Sequence, residues 1–500
     1  MDSSQQVEDI ADRLARHRLV PFVGAGASLG QLGVGWAEIC RDLAIELGLP
    51  PSAGHDYLGI ADQYEVEFGV DGLARFMARR LVRDKFEDDT GSIHMIVMGL
   101  SCGVVYTTNQ DNLFELCTVK YGRPYKTIVN LKDLTYVAPA DFLLVKYHGD
   151  PSNPASLVLS GRSYRERTKD RDHFLNVRMK SDVLAKGFLF IGYSFRDPNV
   201  VAIFEELRAA FHEKFPPSYL IPFEYDPDVA QKLSNGYGVV VVNPCEAMPD
   251  APTESEAFER YMSELLKTTV EKKTAREIDT IFRPDTPPSQ RIATRYEIDA
   301  LESVLPNKGI EDAVRLYRAM FDQTLVPEAS QDRVAQIFVS LAMRVRGRNA
   351  SNDMNGALIN STLTGKSCFE ALSAVMATAN QRDDAEELDI FLPLCRALPQ
   401  RFFPIAAARA VELVMNTGAT VTDAFRNHLL QWFKGYDRFS GEVRHYVDKQ
   451  MSAAWRGATS ESPAEYWKHA SNFGLPQKTF LDFTADFERM VPRKFIKPYE

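Results

Sequence analysis

The sequence lacks the features that mark several common classes of protein. Its six cysteines form no C-x-x-C pair, so they offer neither a zinc-binding spacing nor a disulfide framework; they occupy positions 40, 102, 117, 245, 368 and 395. No apolar run approaches the ~20 residues that span a bilayer. The formal net charge of −10 argues against the basic face of a general nucleic-acid binder. These absences predict a cytoplasmic protein that binds neither membrane nor nucleic acid directly, and the acidic, amphipathic start of the chain, unlike a signal peptide, favours the same compartment.

What the chain does have is an ordinary globular composition. Of its 500 residues, 45% are hydrophobic and 25% are charged, which predicts two or three domains. Seven short segments are predicted to be strands, and several of them are apolar throughout, as strands covered on both faces of a parallel sheet are. They lie at residues 19–23, 102–106, 142–147, 157–159, 187–191, 219–223 and 238–242. Helical patterns separate them, so the first half is predicted to be α/β, with a Rossmann-like doubly wound parallel sheet.

The pattern changes near residue 270. The stretches EKKTAREIDT and RPDTPPSQ, first charged and then proline-rich, predict a linker over residues 271–290. Beyond it, residues 330–346 place apolar side chains on one helical face, with Ser330 and Gly347 as expected caps. Similar helical stretches occur near 309–323, 366–379, 401–415, 423–434 and 439–455. The predicted organisation is an α/β domain over 1–270, the linker, and an all-α domain over 291–500.

The first predicted strand ends in a glycine-rich turn. Residues 19–30, LVPFVGAGASLG, run from the strand through Gly24–Ser28 into a helix. This geometry aims free backbone N–H groups and the positive end of the helix dipole at an anion such as a pyrophosphate. Leu29 stands where the dinucleotide-binding fingerprint has its third glycine, so a purely structural corner is the alternative.

Four further strand ends carry residues suited to chemistry. They are Asn109 and Asp111 in VVYTTNQDN, His148 in LLVKYHGD, Gly192 and Ser194 in FLFIGYSFRDPN, and Asn243 in VVVVNP. A histidine suits a general base because its pKa lies near working pH. The structural alternatives are turn and helix-cap roles, and Asp197 before Pro198 is interpreted as a helix N-cap. Because parallel strands end at one edge, where such sheets hold ligands, we expect these residues to share one crevice.

The order of these turns matches a known family. The series G-A-G-A-S, T-T-N-x-D, K-Y-H-G, F-I-G-Y-S and V-N-P resembles the sirtuin fold, specifically its prokaryotic sirtuin-like branch in antiphage defence. The resemblance implies that Gly24, Ala25, Gly26 and Ser28 cradle the diphosphate of NAD, and that Trp36 lies in a flexible loop that closes over it. It also implies Asn109 and Asp111 beside the nicotinamide and its ribose, His148 as the catalytic base, and Gly192, Ser194 and Asn243 along the adenosine side.

The sequence departs from deacetylating sirtuins in one respect. Those enzymes carry a four-cysteine zinc module between the His-Gly and Gly-x-Ser strands, whereas no cysteine occurs here between Cys117 and Cys245. We therefore expect no metal site and no zinc lobe to clamp an acylated lysine. Water is then the remaining nucleophile, and the resemblance implies an NAD hydrolase that releases nicotinamide and ADP-ribose.

The resemblance also implies how such activity is controlled. Unrestrained NAD loss would poison the host, so a homo-oligomer and a triggering partner are expected, with a helicase-like ATPase, an Argonaute or a phage protein as candidates. The all-α domain is the expected assembly or sensing module. Two alternatives stay open: a module that binds NAD or ADP-ribose without turnover, and an NAD-dependent deacylase without zinc.

Overall fold

The computed structural model describes residues 3–211, 216–274, 290–345 and 348–363, with a few further positions up to Val375. The chain divides into two compact units, Met1–Val304 and Leu305–Glu500. Most of the predicted linker, from residue 275 to 289, lies outside the described residues, as do almost all of the helical stretches predicted after residue 363. The predicted domain boundaries at 270 and 291 stay a prediction.

The first unit is built on a parallel sheet of seven strands in the order β3-β4-β2-β1-β5-β6-β7. The strands are β1 Val20–Val23, β2 Val104–Thr107, β3 Lys126–Ile128, β4 Leu143–Lys146, β5 Phe188–Ile191, β6 Ser218–Ile221 and β7 Val239–Val241. β1, β4, β5 and β6 are buried along their whole length. The predicted Rossmann-like parallel sheet is confirmed. Its strands are apolar because strands covered on both sides need no polar face.

Fourteen helices accompany the sheet in the described part of this unit. They are α1 Ser3–Ala15, α2 Leu29–Leu32, α3 Trp36–Glu46, α4 Tyr57–Leu81, α5 Ser92–Gly99, α6 Leu113–Lys120, α7 Leu131–Leu134, α8 Gly161–Lys169, α9 Phe174–Lys186, α10 Pro198–Phe211, α11 Pro227–Tyr237, α12 Pro244–Ala247, α13 Glu254–Thr274 and α14 Arg295–Val304. Buried side chains of α9, α10 and α11 pack with those of the strands in one hydrophobic core. That core fixes the strand ends on which the candidate site is built.

The described part of the second unit is helical. It contains α15 Ile310–Phe321, α16 Glu328–Arg344 and α17 Arg348–Ile359. Tyr317 of α15 contacts Phe338 of α16 with ring centroids 5.6 Å apart, and Arg318 pairs with Asp353 of α17. α16 begins at Glu328 after Pro327, so the prediction that Ser330 caps it is wrong. Proline sets a φ compatible with a helix start, and the helix therefore begins earlier than the apolar pattern does.

Two further predictions differ from the structure. Leu157–Leu159 is buried but forms no strand, and Val158 N–H donates to the carbonyl of His148 instead of joining a ladder. An apolar run can be buried against helices without pairing, and Leu157 and Leu159 pack with α3 and α4. Conversely, the three-residue strand β3, which begins with an exposed lysine, was not expected, because it is too short and too polar to show a period.

Candidate active site

The loops that follow β4, β2, β1 and β5 lie side by side, because these four strands are neighbours in the sheet. They carry His148, Asn109, the Gly24–Ser28 turn and Gly192 respectively. Asn109 and His148 each lie two residues beyond the paired residues Thr107 and Lys146. The structure therefore brings these four predicted elements to one edge of the sheet, as expected for a ligand site in an open α/β fold.

Gly24 and Gly26 allow the β1 turn to touch the β5 turn. Gly24 N–H donates to Ile191 O at 2.9 Å, and Gly26 N–H donates to Gly192 O at 3.0 Å. A Cβ on Gly24 would lie 2.6 Å from Gly192 O, and one on Gly26 would lie 2.9 Å from it. Only glycine fits at these two contacts, and Gly192 itself has a φ of +58°, in the region that favours glycine.

The same bonds correct one expectation about this turn. Besides Gly24 and Gly26, Ala27 N–H donates to Gly24 O and Ser28 N–H donates to Ala25 O. Four of the five N–H groups predicted to be free therefore already have partners within the protein. The structural reading of the glycines, as residues that permit close approach, is the one that the geometry supports directly.

Asn109 joins the β2 loop to the β1 turn. Its Nδ2 donates to Gly24 O and to Ser28 Oγ, both at 3.0 Å. Because a carbonyl can only accept, the contact with Gly24 also determines which end of the amide is the nitrogen. Thr107 Oγ1 continues the connection, accepting from Asn109 N–H and donating to Val23 O, both at 2.9 Å. Both amide hydrogens of Asn109 are thus used inside the protein, which leaves its carbonyl oxygen for a ligand.

His94 of α5 lies beneath this turn and was not identified from the sequence. Its Nε2 is 3.4 Å from Ser28 Oγ, and both side chains are buried. Burial lowers the pKa of His94, although the Asp111 carboxylate acts in the opposite direction. A neutral His94 can accept a hydrogen bond from the Ser28 hydroxyl. The Ser28 oxygen can then accept a hydrogen bond from Asn109. No periodic pattern indicates this role, because His94 occurs within an apolar helix.

Asp111 is buried, and its carboxylate accepts from Leu113 N–H at 3.1 Å, at the start of α6. The residue at the N-cap position of α6 is Asn112, so the alternative that Asp111 is the N-cap is wrong, and the Asp111 carboxylate instead bonds the backbone from one residue earlier. Its backbone carbonyl accepts from Lys146 Nζ at 2.7 Å. Lys146 is fully buried and also pairs with Glu115, at 2.9 Å, and with Asp150. One buried ammonium thus connects the loops after β2 and β4.

His148 is buried and its two ring nitrogens face different partners. Nε2 lies 2.7 Å from Asp197 Oδ2, and Nδ1 lies 3.5 Å from the hydroxyl of Tyr164 on α8. Burial alone would raise the pKa of Asp197, but His148 and the N–H groups at the start of α10 hold that pKa below its ordinary value. Asp197 is therefore the buried, ionised partner of His148.

Sequence reasoning missed both partners of His148. Asp197 precedes a proline, and its Oδ1 does accept from the N–H groups of Asn199 and Val200 as the N-cap prediction requires. The cap accounts for one of the two carboxylate oxygens, and no local pattern indicates a partner for the other. Tyr164 stands in the segment LVLSGRSY, whose position after β4 was the only available signal.

Three other predicted site residues lie in different surroundings. Trp36 is the first residue of α3 and packs beside the core that α3 forms with α4, so the expectation that it lies in a flexible loop is wrong. Asn243 ends β7, which β6 separates from β5, and its side chain caps α12 by accepting from the N–H groups of Cys245 and Glu246. Ser194 is exposed in the loop after β5.

Metal binding and membrane spanning have no structural support within the described part of the chain. No group of three or more histidine, cysteine or acidic side chains there could hold a metal ion. No helix of that part is both long and apolar enough to cross a bilayer.

The fold and the strand-end loops define a class of protein. Residues 103–242, which include Asn109, His148 and Asp197, match the model of the SIR2-like domain. The matched segment contains six of the seven parallel strands, β2 to β7, and β1 completes the sheet between β2 and β5.

Similar proteins come from several bacteria. The chain is 29% identical over 224 residues to the NAD(+) hydrolase ThsA of Enterococcus faecium, covering 44% of this chain and 46% of that protein. It is 27% identical over 208 residues to the NAD(+) hydrolase ThsA of Bacillus cereus (strain MSX-D12), covering 41% and 43% respectively. A protein of Bacillus subtilis, Defense-associated sirtuin 2, is 27% identical over 222 residues, covering 42% of this chain and 21% of that protein. The chain thus spans less than half the length of these relatives.

Proposed function

We propose that this chain hydrolyses the nicotinamide–ribose bond of NAD and that it depletes NAD as an effector of antiphage defence. One observation carries the proposal: Asn109 and His148 end neighbouring strands beside the Gly24–Ser28 turn, in a segment similar to proteins named NAD(+) hydrolases. The reaction converts NAD⁺ and water to nicotinamide, ADP-ribose and a proton.

The proposed chemistry needs little from the protein beyond charge and a base. Nicotinamide leaves as a neutral amine, so its departure needs no general acid. The difficulty lies in the oxocarbenium-like transition state at the anomeric carbon, a problem shared with glycosidases. A base that removes a proton from the attacking water or a ribose hydroxyl contributes about 10²–10⁴-fold. The buried carboxylates of the site favour positive charge at the reacting carbon.

We assign the base to His148 and a positioning contact to the carbonyl oxygen of Asn109. His148 is paired with an ionised carboxylate, which stabilises the imidazolium that forms when the base accepts a proton. Asn109 has its amide hydrogens bonded to Gly24 and Ser28, so its oxygen is held in one orientation. That oxygen can orient the water or the nicotinamide carboxamide. Asp111 contributes negative charge, and its bond from Leu113 N–H is compatible with that contribution.

The β1 turn is proposed to contact the diphosphate, with Gly192 and Ser194 on the adenosine side. Since four N–H groups of the turn are bonded internally, the contact would use the exposed Ala25 side of the turn and the start of α2. The proposed NAD contact of Trp36 requires a movement of α3, because the Trp36 side chain packs beside the core of α3 and α4. The proposed contact of Asn243 requires a movement at the start of α12, because the Asn243 side chain caps that helix.

The test is nicotinamide release from NAD by the purified chain, measured by chromatography, with and without lysate from phage-infected cells as the source of a trigger. Release without any acylated peptide is expected, and Asn109→Ala and His148→Ala should abolish it. Release that requires an acylated peptide would identify a deacylase instead. Tight NAD binding with no release under either condition would identify a binding module.

The helical unit is proposed to act in assembly or sensing. The described helices carry no constellation resembling the strand-end site, and their charged ends and apolar cores are those of a packing module. We propose a homo-oligomer whose activity is released by a partner, such as a helicase-like ATPase, an Argonaute or a phage protein. Mass photometry of the chain with and without infected-cell lysate would test the assembly.

A further inference from the structure

Two helices of the first unit begin with the same dipeptide. Asp197-Pro198 starts α10 and Asp226-Pro227 starts α11. The Oδ1 of Asp197 accepts from the backbone N–H groups two and three residues on, at 2.8 and 3.2 Å. The Oδ1 of Asp226 makes the equivalent pair at 2.9 and 3.1 Å. The two aspartates are therefore matched helix caps, and any difference between them comes from their second oxygens.

The second oxygen of Asp197 has a partner that the capping role does not require. Oδ2 lies 2.7 Å from His148 Nε2, and both side chains are only 6% exposed. Asp226, in contrast, is exposed. Lone pairs on both atoms would repel at this distance, so the contact with the ionised Asp197 requires a proton on Nε2, although the ring and the carboxylate are not aligned as an ordinary hydrogen bond in the structure. The lone pair of a neutral His148 then lies on Nδ1.

We propose that Asp197 is a positioning residue that holds His148 as the Nε2–H tautomer, so that Nδ1 is the nitrogen that accepts the proton in NAD hydrolysis. This inference rests on the proposed function and names the reacting atom within it. The arrangement follows the logic by which a buried aspartate orients the histidine of a serine-protease triad.

The surroundings of Nδ1 fit an atom that works on a substrate. Its neighbour is the Tyr164 hydroxyl at 3.5 Å, longer than an ordinary O–H···N bond, and that hydroxyl is also placed to donate to Asp197 Oδ2 at 3.3 Å. Nδ1 therefore has no short bond to give up when water or a ribose hydroxyl arrives. In the reaction, the C–O bond to the anomeric carbon forms as the C–N bond to nicotinamide breaks. The proton passes to Nδ1 and then to solvent.

The decisive variant is Asp197→Asn, because asparagine caps helices about as well as aspartate. The amide oxygen would keep the bonds to the start of α10, and the amide N–H₂ would then face Nε2 of His148. Nε2 would become an acceptor and His148 would take the Nδ1–H tautomer, which removes the basic lone pair from the reacting position. We expect kcat to fall by about 10²–10⁴-fold while KM for NAD stays within about threefold.

Asp226→Asn is the matched control, since it makes the same change at an equivalent cap without a histidine. It should leave both kcat and KM unchanged. Equal losses in the two variants would mean that capping explains the effect, and would overturn the inference. So would an Asp197→Asn variant with the kcat of the parent chain.

A second readout does not depend on activity. In protein labelled with ¹⁵N at histidine, the two ring-nitrogen shifts distinguish the tautomers, and the His148 signal is the one that disappears in His148→Gln. We expect an Nε2–H signature in the parent chain and an Nδ1–H signature in Asp197→Asn. An Nδ1–H signature in the parent chain would overturn the inference. A parent chain that shows the expected tautomer yet releases no nicotinamide under any condition would count against the proposed function alone.

Discussion

Replacing Gly24 by alanine tests whether the contact between the β1 and β5 turns holds the site together. The φ of Gly24 is −104° and its ψ is −179°, which alanine adopts without strain. The new Cβ, however, would lie 2.6 Å from Gly192 O and 2.8 Å from Tyr193 Cα, both backbone atoms. The cost is therefore purely steric, and overpacking of this kind destabilises by about 1–3 kcal/mol.

The assay is urea unfolding of the full chain, monitored by intrinsic fluorescence. The midpoint compared is that of the transition in which the sheet unfolds. With a slope of about 2 kcal/mol/M, a loss of about 2 kcal/mol lowers the midpoint by about 1 M. KM for NAD should rise in parallel, because the turn must move away from Gly192. Gly192→Ala should cost more, since its φ of +58° adds about 1–2 kcal/mol to the contact with Ala27 N.

Gly103→Ala is the control, because a Cβ there meets nothing within 4 Å. Its free energy of unfolding should stay within about 0.5 kcal/mol of that of the parent chain or rise slightly. If Gly24→Ala and Gly103→Ala unfold at the same urea concentration, the turn is not as tightly packed as the structure indicates, and the steric reasoning is refuted.

Two further predictions concern buried charges. Glu297→Ala should lower the free energy of unfolding by about 3–5 kcal/mol, because it leaves the buried Arg123 guanidinium without its carboxylate. Glu166→Ala, which breaks an exposed pair with Arg162, should leave the urea midpoint close to that of the parent chain. Similar urea midpoints for the two variants would contradict this. Burial alone would raise the pKa of Asp150, but Lys146 holds that pKa below its ordinary value, so its stabilisation is present above about pH 4 and is lost as the pH falls through the folded-state pKa. Asp150→Asn should therefore reduce the pH dependence of unfolding below about pH 4, and an unchanged dependence would refute the assignment.

The sheet and its loops could be predicted from the sequence because fully buried parallel strands leave a strong local signal. β1, β2, β4, β5, β6 and β7 all fall within or next to apolar runs identified from the residues alone. The same signal overestimated Leu157–Leu159, where burial comes from packing against helices and no neighbouring strand is in register. A local run of apolar residues indicates that a segment is buried, whereas strand pairing depends on a partner far along the chain.

The partners within the site could not be predicted in the same way. His148 and Asp197 are separated by 49 positions, and β2 and β1 lie between β4 and β5 in the sheet, yet their atoms lie 2.7 Å apart. Asp197 also had a complete local explanation as a helix cap, and that explanation is correct for one of its two oxygens. A residue with two acceptors can satisfy a local rule and still hold a distant group, which no local pattern reveals.

The hydrogen bonds of Asn109 are part of a series that connects three loops at the edge of the sheet. Through Gly24 and Ser28 the β2 loop is attached to the β1 turn, and through Gly26 and Gly192 that turn is attached to the β5 loop. Hydrogen bonds therefore link the three loops in series. Any movement that separates one of these loops from its neighbour breaks at least one of these bonds, so the cost of widening this edge of the sheet is shared among the three loops.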